Sequence, residues 1–320
     1  MTRGGYTVSM AIPGPSQVQP GNVLRRIDMS QCGILNDSNN CALLSIILCL
    51  HDMRLVGSLV QPANITKNNA PDYAILVLRQ VLLALPNARA FSLQIFLDSW
   101  NDSCVTDQNR AVIGQHEDLL IFDNIMKAVI CHLQPTNTPL LTQFRAQFYC
   151  APCQQQFSNV SQDSYGAFAV IPLVSLPRDQ PSVTPGDLLT ALLQSHIDVT
   201  CPQCGVMCHG NFDVTKGAYT IMVINRRGYQ DQQGNYIPLL RTRLTDRRGI
   251  NVGSGLLGTL VSVVSHRGDV RTGHWVSYHL AQDTNTWYIN DDSQPLAPSN
   301  CHPFVGQVAN ETADLLVFKN

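Results

Sequence analysis

Two short cysteine pairs limit this chain's fold more than any other feature. Cys150-Ala-Pro-Cys153 lies at the end of an alternating stretch, and Cys201-Pro-Gln-Cys204 follows with its first cysteine 51 positions after the first of the other pair. Two Cys-x-x-Cys turns together supply the four soft thiolates that a tetrahedral structural zinc prefers, and the turns can aim backbone N–H groups at sulfur. The long spacing places the pairs on separate β-hairpins clipped at their tips, not in one small finger. Cys208 and His209 follow closely enough to replace one thiolate. Zinc held by four cysteines is coordinatively closed, so one such site staples structure and leaves the chemistry to other residues.

Eleven cysteines would suit disulfides in a secreted chain. The opening "MTRGGYTVSMAIPGPSQVQPGN" lacks the apolar segment of a secretory signal, however, and the paired spacing favours metal. A reducing compartment, cytoplasm or nucleus, is expected. A net charge of −2 leaves no basic footprint for nucleic acid, and no apolar run approaches the roughly 20 residues of a membrane span. With 320 residues and 44% hydrophobic content, a large packed core is available.

The segment "CALLSIILCLHDM", Cys41 to Met53, is apolar on nearly every side, which predicts a helix running through the core. Apolar residues at three- and four-residue spacing predict further helices over Pro71–Leu85 and Glu117–His132. After about Leu140 the texture changes to short β-branched runs, "TQFRAQFYC", "AFAVIPLVSL", "AYTIMVIN", "TLVSVVSH", "HWVSYHL", "TWYIN" and "DLLVFK". One helix interrupts them, "TPGDLLTALLQSH", with Thr184 or Asp187 available as its cap. Helices first and strands second make the expected class α+β.

Cys41 opens its helix directly after an Asn-rich turn, "GILNDSNNC". The free N–H groups and partial positive charge of a helix start stabilise a thiolate, which then needs a base. Of nine histidines, His274 in "TGHWVSYHL" stands at the mouth of a strand beside a glycine. Seventeen positions later "WYINDDS" ends the next strand with Asp291 and Asp292. Two antiparallel strands joined by a short loop would set Asp291 across from His274, where a carboxylate fixes the imidazole tautomer.

Together these stretches resemble the ubiquitin-specific protease family. Its Cys box, G-[LI]-x-N-x-G-N-T-C-[YF]-x-N-S-x-L-Q, is matched at Gly33, Ile34, Asn36, Asn39, Cys41, Ser45 and Ile47. Its His box, H-x-G-x-x-x-x-G-H-Y-x-x-Y, is matched at His266, Gly268, Gly273, His274 and Tyr278, and "WYINDDS" is similar to its closing W-x-x-F-[DN]-D-S. Both cysteine pairs lie between the boxes, as in the family's zinc-bearing fingers. The likeness runs from about Asp28 to Phe318.

The resemblance implies a papain-like cysteine protease core with thumb, palm and fingers. Residues 1–27 would be a disordered lead and 28–320 the catalytic domain, with the thumb over about 28–140, fingers and palm strands over about 141–225, and palm over about 226–320. It implies a monomeric deubiquitinase that cleaves after the C-terminal Gly-Gly of ubiquitin, with Cys41 as nucleophile, His274 as base, Asp291 orienting it, Asn36 as oxyanion donor and Asp292 assisting. Gln115, Glu117, Gly268, Gly273 and Trp275 would line the channel for the ubiquitin tail. Ser38, Ala42, Leu44 and Leu48 depart from the pattern without removing a reacting group. Leu120 stands where the family has a glutamate that pairs with an arginine of that tail, which leaves room for a ubiquitin-like modifier such as SUMO as the substrate. A catalytically silent zinc-bearing ubiquitin-binding module is the other reading, and it gives no reason for the full set of Cys41, His274, Asp291 and Asn36.

Overall fold

A computed structural model describes residues 41–55, 59, 70–84, 129, 140–158, 169–172, 182–194, 197–225, 243–244, 258–268, 273–281, 284–291, 297–299, 302–304 and 312–320. Among these, helices dominate the first part and strands the second.

Helix α1 spans Cys41–Asp52, and every residue from Cys41 to His51 is buried. Leu43, Leu44, Ile46, Ile47, Leu48 and Leu50 all enter the main hydrophobic core. At about 1.5–3 kcal/mol per buried aliphatic side chain, this rod is a principal source of stability. Truncating the fully buried Leu44 to alanine would cost about 2–5 kcal/mol. Helix α2, Ala70–Ala84, packs Ile75, Val77, Leu78, Val81 and Leu82 into the same core. Of the helix expected over Glu117–His132, only Val129 is described, and it is helical and buried.

The strands form a large sheet and a smaller one. The small sheet combines β1 (Gln143–Cys150), β2 (Gln155–Ser158), β5 (Ile197–Thr200) and β6 (Met207–Thr215) in the order β2-β1-β6-β5, all antiparallel. The large sheet has seven strands: β3 (Ala169–Pro172), β7 (Tyr219–Asn225), β9 (Thr259–Gly268), β10 (Gly273–Ala281), β11 (Thr286–Asn290), β12 (Ala297–Ser299) and β13 (Ala313–Lys319). Their order is β12-β11-β10-β9-β13-β7-β3, and only the edge pair of β3 and β7 is parallel. Two short strands, β4 (Ser182–Val183) and β8 (Arg243–Leu244), pair separately.

The central strands β9, β10 and β13 are buried on both faces over most of their length. That explains why they read as nearly continuous apolar runs instead of alternating ones. Helix α1 lies against β10 and β9. Helix α3, Pro185–Gln194, begins in a reciprocal cap. The Asp187 N–H donates to Thr184 Oγ1 at 3.1 Å, and the Thr184 N–H donates to Asp187 Oδ2 at 3.1 Å, so both residues named as possible caps act together. Among the described residues no helix is long and apolar enough to cross a membrane.

Candidate active site and metal-binding cluster

The small sheet sets the geometry of the cysteine pairs. Cys150 and Cys153 bracket the turn from β1 to β2, with Cys150 paired to Gln155. Cys201 and Cys204 bracket the turn from β5 to β6. Because β1 also pairs with β6, both hairpin tips fall at the same end of one sheet. Cys150 Sγ lies 3.4 Å from Cys204 Sγ, Cys153 Sγ lies 4.0 Å from Cys201 Sγ, and all four sulfurs fall within 4.8 Å of one another. A tetrahedral ion with arms of about 2.3 Å to sulfur sets sulfurs about 3.8 Å apart, so the four fit a metal ion.

Backbone N–H groups of Cys204 and Gln203 hold the Cys201 thiol down to about 6, the turn effect expected from the motif. The Cys153 thiol is pushed up, first by hydrogen bonding with the Cys204 and Cys150 sulfurs, which favours its S–H form, and then by desolvation. The alternative ligands do not join the cluster. Cys208 turns inward, with its S–H donating to the Val206 carbonyl at 3.6 Å, and it packs with Phe148, Cys150 and Cys201. His209 points outward and pairs with Asp198 at 2.6 Å.

The other constellation sits where α1 meets the large sheet. Cys41 is buried at the first turn of α1, and the Trp275 N–H donates to its Sγ at 3.5 Å. A thiolate therefore has one main-chain donor from β10 in addition to the helix end. His274 is the neighbour of that donor. Its Nε2 lies 2.7 Å from Asp291 Oδ1, and with Nε2 turned to the carboxylate, Nδ1 is the nitrogen suited to exchange a proton with a thiol.

The approach of Asp291 is diagonal. Ser277 pairs with Asn290 in the β10–β11 ladder, so continuing that register puts Asp291 against Val276 and leaves His274 two residues further along the same face. A carboxylate spans such a diagonal easily. The start of α1 thus meets the start of β10 through Cys41 and Trp275, and the end of β11 meets it through Asp291 and His274.

Gly268 and Gly273 pair with each other at the end of the ladder where the chain passes from β9 to β10. Gly268 has φ 137°, a region open to glycine. At Gly273 a Cβ would stand 2.2 Å from His266 Nε2 and 2.7 Å from the Arg267 carbonyl oxygen, so the missing side chain makes room for the His266 ring. The Trp275 indole is only 2% exposed and packs on His266 with ring centroids 4.8 Å apart. What this residue offers Cys41 is its main-chain N–H. Asn36, Gln115, Glu117, Leu120 and Asp292 lie outside the described residues.

Two features carried no signal in the sequence. Arg267, opposite His274 in the β9–β10 register, donates through Nη1 to Asp291 Oδ2 at 3.2 Å and through Nη2 to the Tyr278 hydroxyl at 2.9 Å. At the far end of α1, Asp52 Oδ2 lies 2.5 Å from His279 Nδ1, and His279 Nε2 lies 2.8 Å from Ser277 Oγ. Beside them, burial pushes the Cys49 thiol far above its usual range, so it stays an S–H, and its sulfur lies 2.9 Å from Ser262 Oγ. Helix α1 is therefore tied to β10 at both ends, by Cys41 to Trp275 and by Asp52 to His279.

A scan of the sequence against protein-family models finds no match, and a search of the curated proteins finds none either.

Proposed function

We propose that the chain is a thiol-dependent isopeptidase that cleaves ubiquitin from substrate lysines after its C-terminal Gly-Gly. The observation that carries this reading is the convergence of Cys41, His274 and Asp291, in which a helix-start thiol accepts the Trp275 N–H and the neighbouring imidazole is held by a carboxylate at 2.7 Å. A nucleophile, a base and a group that orients the base are the minimum for acyl transfer through a thioester.

In this mechanism the Cys41 thiolate adds to the carbonyl carbon of the terminal glycine, and the carbonyl π electrons move to oxygen. The Trp275 N–H serves the sulfur, while the oxyanion takes donors from the start of α1 and from Asn36, matched on sequence alone. Collapse of the tetrahedral intermediate breaks the C–N bond, and His274 gives its proton to the departing lysine amine. Water, deprotonated by His274, then hydrolyses the thioester and returns the thiol. Removing one oxyanion donor from such a site lowers the rate by about 10²–10³.

The four-cysteine cluster fits zinc best, because four thiolates at tetrahedral spacing suit a borderline-soft ion that needs no open position. When bound, zinc would hold the two hairpin tips together. The reading places the protein in a reducing compartment, cytoplasm or nucleus, with ubiquitin or a ubiquitin-like protein as its partner.

The test is to react the full chain with a panel of ubiquitin-like modifiers, each bearing a C-terminal electrophile, beside Cys41→Ala. A covalent adduct with ubiquitin, at Cys41 and absent from the alanine variant, is expected. An adduct only with another modifier would move the substrate and keep the chemistry. Adduct with none of them would overturn the enzyme reading.

A further inference from the structure

Asp291 has an exposed position for a residue that must hold an imidazole still. Its side chain is 44% exposed and that of His274 is 31% exposed, so packing does not fix the carboxylate's rotation. A carboxylate with one partner can turn about its last bond and present either oxygen, or neither, to the ring. Here the two oxygens are divided: Oδ1 faces His274 Nε2 and Oδ2 faces Arg267 Nη1. The guanidinium is itself fixed, because its Nη2 donates to the hydroxyl of the fully buried Tyr278. Arg267 and His274 are direct cross-strand partners, and Asp291 reaches both from the end of β11.

We infer that Arg267 is a positioning residue that locks Asp291 in the rotamer serving His274, with Tyr278 as its anchor. The planar guanidinium suits this task, since one fork holds two acceptors in a set direction where an ammonium would act only as a point charge. The inference rests on the proposed roles of Cys41, His274 and Asp291. It adds a fourth and a fifth residue that touch neither the substrate nor the thiol.

The test needs no knowledge of the substrate. Alkylation of Cys41 by iodoacetamide is followed by peptide mass spectrometry for the wild type, Arg267→Gln, Arg267→Lys, Tyr278→Phe, Asp291→Ala and the double variant Arg267→Gln/Asp291→Ala. Arg267→Gln is expected to slow alkylation by about 5–10-fold, a loss in keeping with a misplaced catalytic group. Arg267→Lys should recover part of that rate. Tyr278→Phe should lose about 2–3-fold through the freed guanidinium, and it keeps the question open to measurement should Arg267→Gln fail to fold.

If Arg267 acts through Asp291, its substitution has no further effect once Asp291 is gone, whereas a general structural role would multiply the two losses. With whichever modifier reacts, a fluorogenic conjugate should show kcat lowered and KM unchanged in Arg267→Gln. An unchanged or faster alkylation in Arg267→Gln, or losses that multiply with Asp291→Ala, would overturn the inference. Arg267-dependent alkylation without any modifier adduct would instead retire the ubiquitin reading and leave the positioning role standing.

Discussion

Replacing Asp52 by alanine tests how helix α1 is held. Asp52 is the last residue of α1, and its carboxylate meets the fully buried His279 at 2.5 Å while being itself only 8% exposed. A negative charge at a helix C-terminus is unfavourable by about 0.3–1 kcal/mol, so the carboxylate must gain more than this from its partner. A hydrogen bond to a charged group contributes about 1.5–3 kcal/mol, and an orphaned buried donor adds a penalty of about 1–3 kcal/mol. Part of that penalty is recovered, because Ser262 Oγ lies 3.3 Å from the same His279 nitrogen, and Ser277 keeps the other nitrogen.

The net expectation for Asp52→Ala is a loss of about 2–3 kcal/mol, or about 3–5 °C in a chain of this size. Urea unfolding at pH 7 followed by circular dichroism measures it, and Asp52→Asn, which keeps an acceptor, should lose less. A cycle with His279→Ala should show coupling above about 1 kcal/mol between the two positions. A change below about 0.5 kcal/mol in Asp52→Ala would refute the idea that this pair secures α1 to β10.

Further expectations follow from other sites. Cys204→Ser should abolish stoichiometric metal measured by plasma mass spectrometry and lower the melting temperature, while Cys208→Ser should keep the metal, because Cys208 faces the Val206 carbonyl and not the cluster. Burial lowers the pKa of His51 from its ordinary 6.5, so the unfolded chain binds a proton there that the folded chain resists. Stability should thus be fully present above about pH 6.5 and fall below it, and His51→Gln should flatten the acid limb of unfolding free energy against pH. Gly273→Ala should force the His266 ring and the Arg267 carbonyl away, costing about 1–3 kcal/mol in urea unfolding. Retention of wild-type stability would show that the β9–β10 ladder opens there without strain.

The sequence was most informative where a local pattern carries its own geometry. The nearly all-apolar run after Cys41 predicted a helix through the core, and it is buried from Cys41 to His51. The two Cys-x-x-Cys turns required hairpin tips, and the tips meet. The strands "TLVSVVSH", "HWVSYHL" and "DLLVFK" stood out because burial on both faces leaves little but apolar residues. Short polar strands did not: "QQFS" at β2 and "IDVT" at β5 exist because each pairs with a longer neighbour, a tertiary cause without a sequence period.

The pairing of Asp52 with His279 spans 227 positions, and neither residue announces the other. Arg267 was visible inside "HRGDVRTGH" only as a charge near a turn. Its role depends on the β9–β10 register, which sets it opposite His274. Cys41, His274 and Asp291 were legible because each stands at an element boundary, and the fold brings those boundaries together.

The strand order has a temporal consequence. β13, the last described strand, inserts between β9 and β7 at the centre of the large sheet. Until residues 313–319 are in place, β9 and its partner β10 have no hydrogen-bonded route to β7. The sheet against which α1 packs therefore cannot close in the order the chain is made. A ribosome releases Cys41 long before the strand that completes the platform for His274. Contacts this distant in sequence close slowly, so α1 waits for the strands it packs against. A nascent chain of this design would bring Cys41 to the start of β10 only after the strands behind it have been made.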